Sequence, residues 1–110
     1  MLVRLKLLCL FAVVLATGCA SRPPFIDQAE PEAMAIAQRR AAFEFNCPTV
    51  TVQLLSRETL QPVSFQFGIQ RAEYTIGVTG CGKRATYVVV CPDQQGAICF
   101  AGAGRDGILP

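Results

Sequence analysis

Glu73-Tyr-Thr-Ile-Gly-Val-Thr-Gly-Cys-Gly-Lys-Arg-Ala-Thr-Tyr-Val-Val-Val-Cys91 decides the fold of this chain. Both halves are rich in β-branched and aromatic residues, which suit a pleated, half-buried surface. Between them Gly80-Cys81-Gly82 supplies the glycines of a tight turn, because a residue without Cβ accepts the positive φ that hairpins require. Strands at residues 72–78 and 85–91, joined by that turn, make an antiparallel hairpin.

Upstream, Thr49-Val-Thr-Val-Gln-Leu-Leu55 reads as a third strand, partly alternating, followed by a polar connection over residues 56–62. Ser-Phe-Gln-Phe at 64–67 is also strand-like, so three or four strands are expected. Downstream, residues 92–96 turn and 97–101 return as a short edge strand. Residues 102–110 are expected to be a flexible tail. Their letters spell G-x-G-x-x-G, but Ile108-Leu109-Pro110 is no helix to present its N-terminus to a dinucleotide.

Before the strands, residues 27–45 have helical composition. Asp27 with Glu30 offers a capping box, and Pro31 suits the first turn of a helix that begins slightly later. Met34, Ala37, Ala41 and Phe45 share one face, with Ile36 and Phe43 on the other, so the helix is either sandwiched or offers its second side to a partner. Asn46-Cys47-Pro48 signals its end. The fold class expected is α+β: one N-terminal helix packed on a small antiparallel sheet of three to four strands, stapled by disulfides, over residues 27–101.

The first residues look different. Arg4 and Lys6 precede an apolar run from residue 7 to 16, half the length of about 20 that spans a bilayer, which is the layout of a signal peptide. Leu15-Ala-Thr-Gly-Cys19 resembles the lipobox of bacterial lipoproteins. The resemblance implies that residues 1–18 are removed and that Cys19 is acylated and becomes the first mature residue. Ala20, which is not the aspartate associated with inner-membrane retention, then favours the outer membrane. The alternative is ordinary cleavage after Ala20, giving a secreted or periplasmic soluble protein. Residues 19–26, polar and proline-containing, form a tether. Two or three acyl chains on one cysteine hold a protein to lipid without further help, at about 0.8 kcal/mol per buried methylene.

Of the 110 residues, 52% are hydrophobic, 16% are charged and none is histidine. Triads that depend on imidazole are excluded, as are imidazole metal ligands. Without Arg4 and Lys6, the 10 basic residues fall to the number of acidic ones, 8, so the mature chain carries no basic excess and no nucleic-acid partner is expected. Glu30, Glu32, Glu44, Glu58 and Glu73 are scattered and suggest no acid–base pair. No enzyme activity, metal or cofactor is expected.

Cys9 lies in the signal segment and Cys19 would be lipidated, which leaves Cys47, Cys81, Cys91 and Cys99. A domain this small in an exported protein is where disulfides replace core volume. If the strand at 72–78 runs antiparallel to that at 49–55, Cys81 approaches Cys47, and Cys91 is left for Cys99 across the following turn. A four-strand meander that includes 63–69 would instead bring Cys47 to Cys91. The first arrangement is favoured, because Gln70-Arg71 is poor hairpin chemistry. Its two closed loops would contribute about 4 and 2.5 kcal/mol through chain entropy.

Zinc is disfavoured by the wide spacing of the four cysteines. A thiol-dependent periplasmic redox protein using Cys81 or Cys91 is the alternative function, since Lys83 and Arg84 would favour a thiolate at Cys81. Gly80, Gly82, Lys83 and Arg84 also form a candidate anion-binding turn, with exposed backbone N–H groups and two adjacent cations.

Phe45-Asn-Cys-Pro48 and Gly80-Cys-Gly-Lys-Arg-Ala-Thr-Tyr87, followed by Cys91, resemble small, largely uncharacterised bacterial lipoproteins with an F-x-C-P junction and a G-C-G-(K/R)-x-A-x-Y hairpin. The resemblance covers about residues 43–91. It implies a fold and a compartment and no activity. The expected object is an acyl-anchored envelope lipoprotein, a structural or binding module held to the membrane by its acyl chains and open to an envelope protein partner.

Overall fold

The computed structural model describes residues 2–4, 6, 21–62 and 68–110, the side chains of 105 and 106 excepted. Cys9, Cys19 and the strand-like segment 63–67 lie outside the described residues. The domain is α+β: helix α1 (Phe25–Glu44) precedes strands β1 (Thr51–Leu60), β2 (Arg71–Gly80), β3 (Lys83–Pro92) and β4 (Phe100–Leu109). The strands form one antiparallel sheet in the order β1-β2-β3-β4, and α1 packs on one of its faces.

The helix lies ahead of the sheet but not at the start of the chain. It begins at Phe25, two residues earlier than expected, with Pro24 at the cap position and no side-chain cap. The expected capping box is not made, because Asp27 and Glu30 turn to Arg57 of β1 instead. Pro31 therefore sits inside the helix rather than in its first turn. There it removes one backbone hydrogen bond near the N-terminal end, where such a loss is mildest.

The buried face is narrower than expected. Ala29, Ala33, Ala37 and Ala41 recur every four residues and are buried, followed by Phe45. Met34 and Ile36 are partly buried at the flanks, and Phe43 is 87% exposed. A stripe of methyl groups lets the helix backbone come close to the sheet, and the larger core side chains come from the strands. Tyr74, Ile76 and Val78 of β2 and Tyr87, Val89 and Cys91 of β3 alternate onto the helix side, each 1% exposed or less.

β1 is longer than the expected strand and runs through the segment read as a polar connection. Its register on β2 slips between Leu54 and Ser56, where Leu55 is the extra residue. One inserted residue flips the alternation that follows it. Val52 and Leu54 face the helix before the bulge, and Arg57 does so after it. The polar composition of 56–59 thus reflects a strand whose inward position meets carboxylates, not a loop.

The C-terminal segment is also a correction. Residues 100–109, expected to be mostly a flexible tail, form the edge strand β4 on β3. Pairing runs from Val90↔Phe100 to Tyr87↔Ala103, slips, and resumes at Ala85↔Ile108. The G-x-G-x-x-G letters lie within that strand and no described helix follows them.

Candidate functional site

Residues from three parts of the chain meet at the C-terminal end of α1. The helix closes on Phe45 with two further bonds: Asn46 N–H donates to Phe43 O and Cys47 N–H to Ala42 O. This is the Schellman pattern, and Asn46, at φ 50°, takes the left-handed position that it requires. Cys47 is thereby aimed at the β2–β3 turn.

That turn has two residues, Cys81 at φ 49° and Gly82 at φ 72°, between the paired Gly80 and Lys83. Positive φ at both central positions is the type I′ geometry that fits the twist of the strands. The glycine before it serves a different end: a Cβ on Gly80 would lie 2.8 Å from Val50 Cγ1, so its absence lets the start of β1 approach. Cys47 and Cys81 are joined, as are Cys91 and Cys99, with Cα separations of 5.9 and 4.2 Å. These are the pairs that the three-strand geometry favours. Cys81 and Cys91, the two thiols weighed for redox chemistry, are each bonded to a different partner.

Lys83 reaches back to Phe45 O at 3.5 Å. Four residues on, Tyr87 donates its hydroxyl hydrogen to Glu44 Oε2 at 2.8 Å, and Arg40 Nε donates to Glu44 Oε1 at 2.7 Å. Arg40 also donates to the carbonyl of Ala101 in β4, which ties the edge strand to the helix. Arg40 holds the Glu44 carboxyl below the usual carboxylate range; burial pushes the other way and is outweighed with the help of the Tyr87 hydroxyl. Burial and the Glu44 charge push the Tyr87 phenol up to about 12. The F-x-C-P and G-C-G-K-x-A-x-Y residues thus form one clasp between helix and hairpin.

The opposite end has its own pin. Tyr74 donates to Ile26 O at 2.5 Å in the first turn of α1, while Arg57 bridges Asp27 and Glu30. The Tyr74 phenol is also raised to about 12, chiefly by burial.

The face of the sheet away from α1 carries an open cleft of about 550 Å³, lined by Thr51, Gln53, Leu55, Thr79, Arg84 and Thr86 among others. Lys83 and Arg84, expected to act together on one anion, are therefore divided. Neighbouring strand residues point to opposite faces, so Lys83 serves the clasp and Arg84 the cleft. The cleft offers one guanidinium, hydroxyls and an amide, which can hydrogen-bond a carboxylate or amide group. Among the described residues no carboxylate lines it, and no cluster of three potential metal ligands occurs.

Sequence reasoning missed the cleft, because its polar residues come from β1, β2 and β3 and converge only through the register. It also missed Arg57 and Arg40, whose partners are set by the bulge and by β4. Among the described residues no helix is long and apolar enough to cross a membrane. No protein family, no curated protein and no solved structure matches this chain.

Proposed function

We propose that this protein is an acyl-anchored lipoprotein of the cell envelope, exported by residues 1–18, lipidated at Cys19 and held at the periplasmic face of the outer membrane. Its domain is a structural or binding module rather than an enzyme, and its partner is an envelope protein. The observation that carries the reading is the pair of disulfides in a domain whose first helix starts at Phe25, six residues after the lipobox cysteine. Disulfides of this kind persist in oxidising compartments, and a short tether keeps the module close to its lipid. The open sheet face supports the binding side of the proposal, since its cleft has polar groups able to orient a partner and, among the described residues, no acid–base pair.

The test is to express the full chain and its Cys19→Ser variant with a clickable fatty acid, then to fractionate membranes. Acyl label and outer-membrane fractionation on the wild-type chain, both lost in Cys19→Ser, is the expected result. A wild-type chain that carries no label, or a variant that keeps both label and fractionation, overturns the anchor.

A further inference from the structure

The two disulfides stand in opposite surroundings. Cys91 and Cys99 are 1% and 8% exposed, so neither sulfur of that bridge faces solvent freely. Cys47 is also buried, at 3%. Cys81 is the exception: it is exposed, at the apex of the β2–β3 turn. It is a non-glycine residue in the left-handed region, held there by the bond to Cys47 and by the turn around it.

We propose that Cys47–Cys81 is a thiol-exchange site, with Cys81 as the sulfur attacked by an external thiolate and Cys47 as the leaving sulfur, while Cys91–Cys99 is closed to exchange. Exchange requires approach along the S–S axis at an accessible sulfur and depends on how well the departing thiolate is accommodated. The first condition singles out Cys81. The second bears on Cys47, which leaves as a thiolate and is taken up as a thiol. The Lys83 ammonium is anchored to Phe45 O, two residues before Cys47, within the same clasp. Cys47 Sγ also lies 3.2 Å from Thr49 O, which can accept the hydrogen of the thiol once it is protonated.

The incoming thiolate forms a bond to Cys81 Sγ, the bond between the two protein sulfurs breaks, and its electron pair leaves on Cys47 Sγ, which takes a proton from water. A monothiol stops there, as a mixed disulfide on Cys81. A dithiol goes on: its second thiolate attacks its own sulfur in the adduct and releases the Cys81 thiol, so the bridge is reduced by two electrons and the dithiol is oxidised by two. The ligand class is thus a small thiol or a dithiol protein. Opening the bridge frees the end of α1 from the hairpin turn, while Tyr87–Glu44 and Cys91–Cys99 continue to hold the helix and β4.

The oxidised full chain, kept under native conditions with reduced glutathione and then with dithiothreitol, is quenched by alkylation at intervals and mapped by mass spectrometry. The expected result is a glutathione adduct on Cys81 with an alkylated Cys47, formed at least about tenfold faster than any modification of Cys91 or Cys99. With dithiothreitol, Cys47 and Cys81 are alkylated together while the circular dichroism of the helix persists. Equal opening rates for the two bridges, earlier opening of Cys91–Cys99, or an adduct on Cys47 in place of Cys81 would each overturn the assignment.

Discussion

Tyr87 of β3 donates its hydroxyl hydrogen to Glu44, in the last turn of α1, at 2.8 Å, and Tyr74 of β2 does the same to Ile26 O in the first turn. Two phenols on neighbouring strands thus fix both ends of a 20-residue helix whose buried face is only alanine. A smooth stripe of methyl groups specifies position along the sheet poorly, because it can slide with little change in contact. The hydroxyl bonds supply the register that the packing lacks.

Tyr87→Phe is expected to destabilise the domain by about 1.5–3 kcal/mol, the range for a hydrogen bond to a charged group. Denaturant melts of the two proteins check it. The carboxyl of Glu44 is depressed in the folded state, so its contribution is present above the ordinary carboxylate value and is lost as pH falls through the folded one. The gap in stability between wild type and Glu44→Gln should therefore be full at neutral pH and shrink below about pH 4.5. A gap that stays constant down to strongly acid pH would contradict this.

The alkaline limb follows from the same tyrosines, which are the two that the chain contains. Both phenols are raised to about 12 in the fold, mainly by burial. A raised folded value means stability that is complete below the unfolded value near 10 and is lost as pH climbs toward 12. Native protein should show no phenolate absorbance between about pH 10 and 11, and the absorbance should then rise together with loss of helical circular dichroism. An early titration of one tyrosine in intact protein would show that its hydroxyl reaches water.

The hairpin was legible because its signals are local: glycines at the turn, β-branched residues on either side, and a cysteine that the strand directions bring to Cys47. The end of the helix was legible for the same reason, in Asn46-Cys47-Pro48. What escaped depends on register. Alanine reads as a helix former, so Ala29 and Ala33 gave no sign of being core, whereas Met34, chosen for its hydrophobicity, lies at the flank. The bulge at Leu55 reverses the period that an alternation argument relies on, which hid both the length of β1 and the role of Arg57. Lys83 and Arg84 look like one cationic pair in sequence and become two separate groups once the strand assigns them to opposite faces.

Two phenylalanines two residues apart separate the core face of α1 from its outer face. Phe45 is 2% exposed and Phe43 is 87% exposed. Phe45→Ala should cost about 3–5 kcal/mol, the range for emptying a buried aromatic site. Phe43→Ala should stay within about 0.5 kcal/mol in the isolated domain. Thermal melts of both variants decide this, and similar losses would mean that the helix is rotated from the orientation described.

The edge strand β4 can be tested through its glycines, which are what made it look like a tail. Gly104 lies across β3 where the register slips, and a Cβ there would sit 2.6 Å from Thr86 O, a backbone atom that cannot move without disturbing the pairing of β3 with β2. Gly102, two residues earlier on the same strand, has open space where its Cβ would be. Gly104→Ala should therefore cost about 1–3 kcal/mol, as overpacking does, and raise amide exchange along residues 100–109. Gly102→Ala should be neutral or slightly stabilising, because alanine is less free than glycine in the unfolded chain. Since Arg40 donates to Ala101 O, the loosening of β4 in Gly104→Ala should also weaken the hold of Arg40 on that carbonyl while leaving its bond to Glu44. Equal, small effects of the two substitutions would indicate that residues 100–109 are not held against β3 in solution.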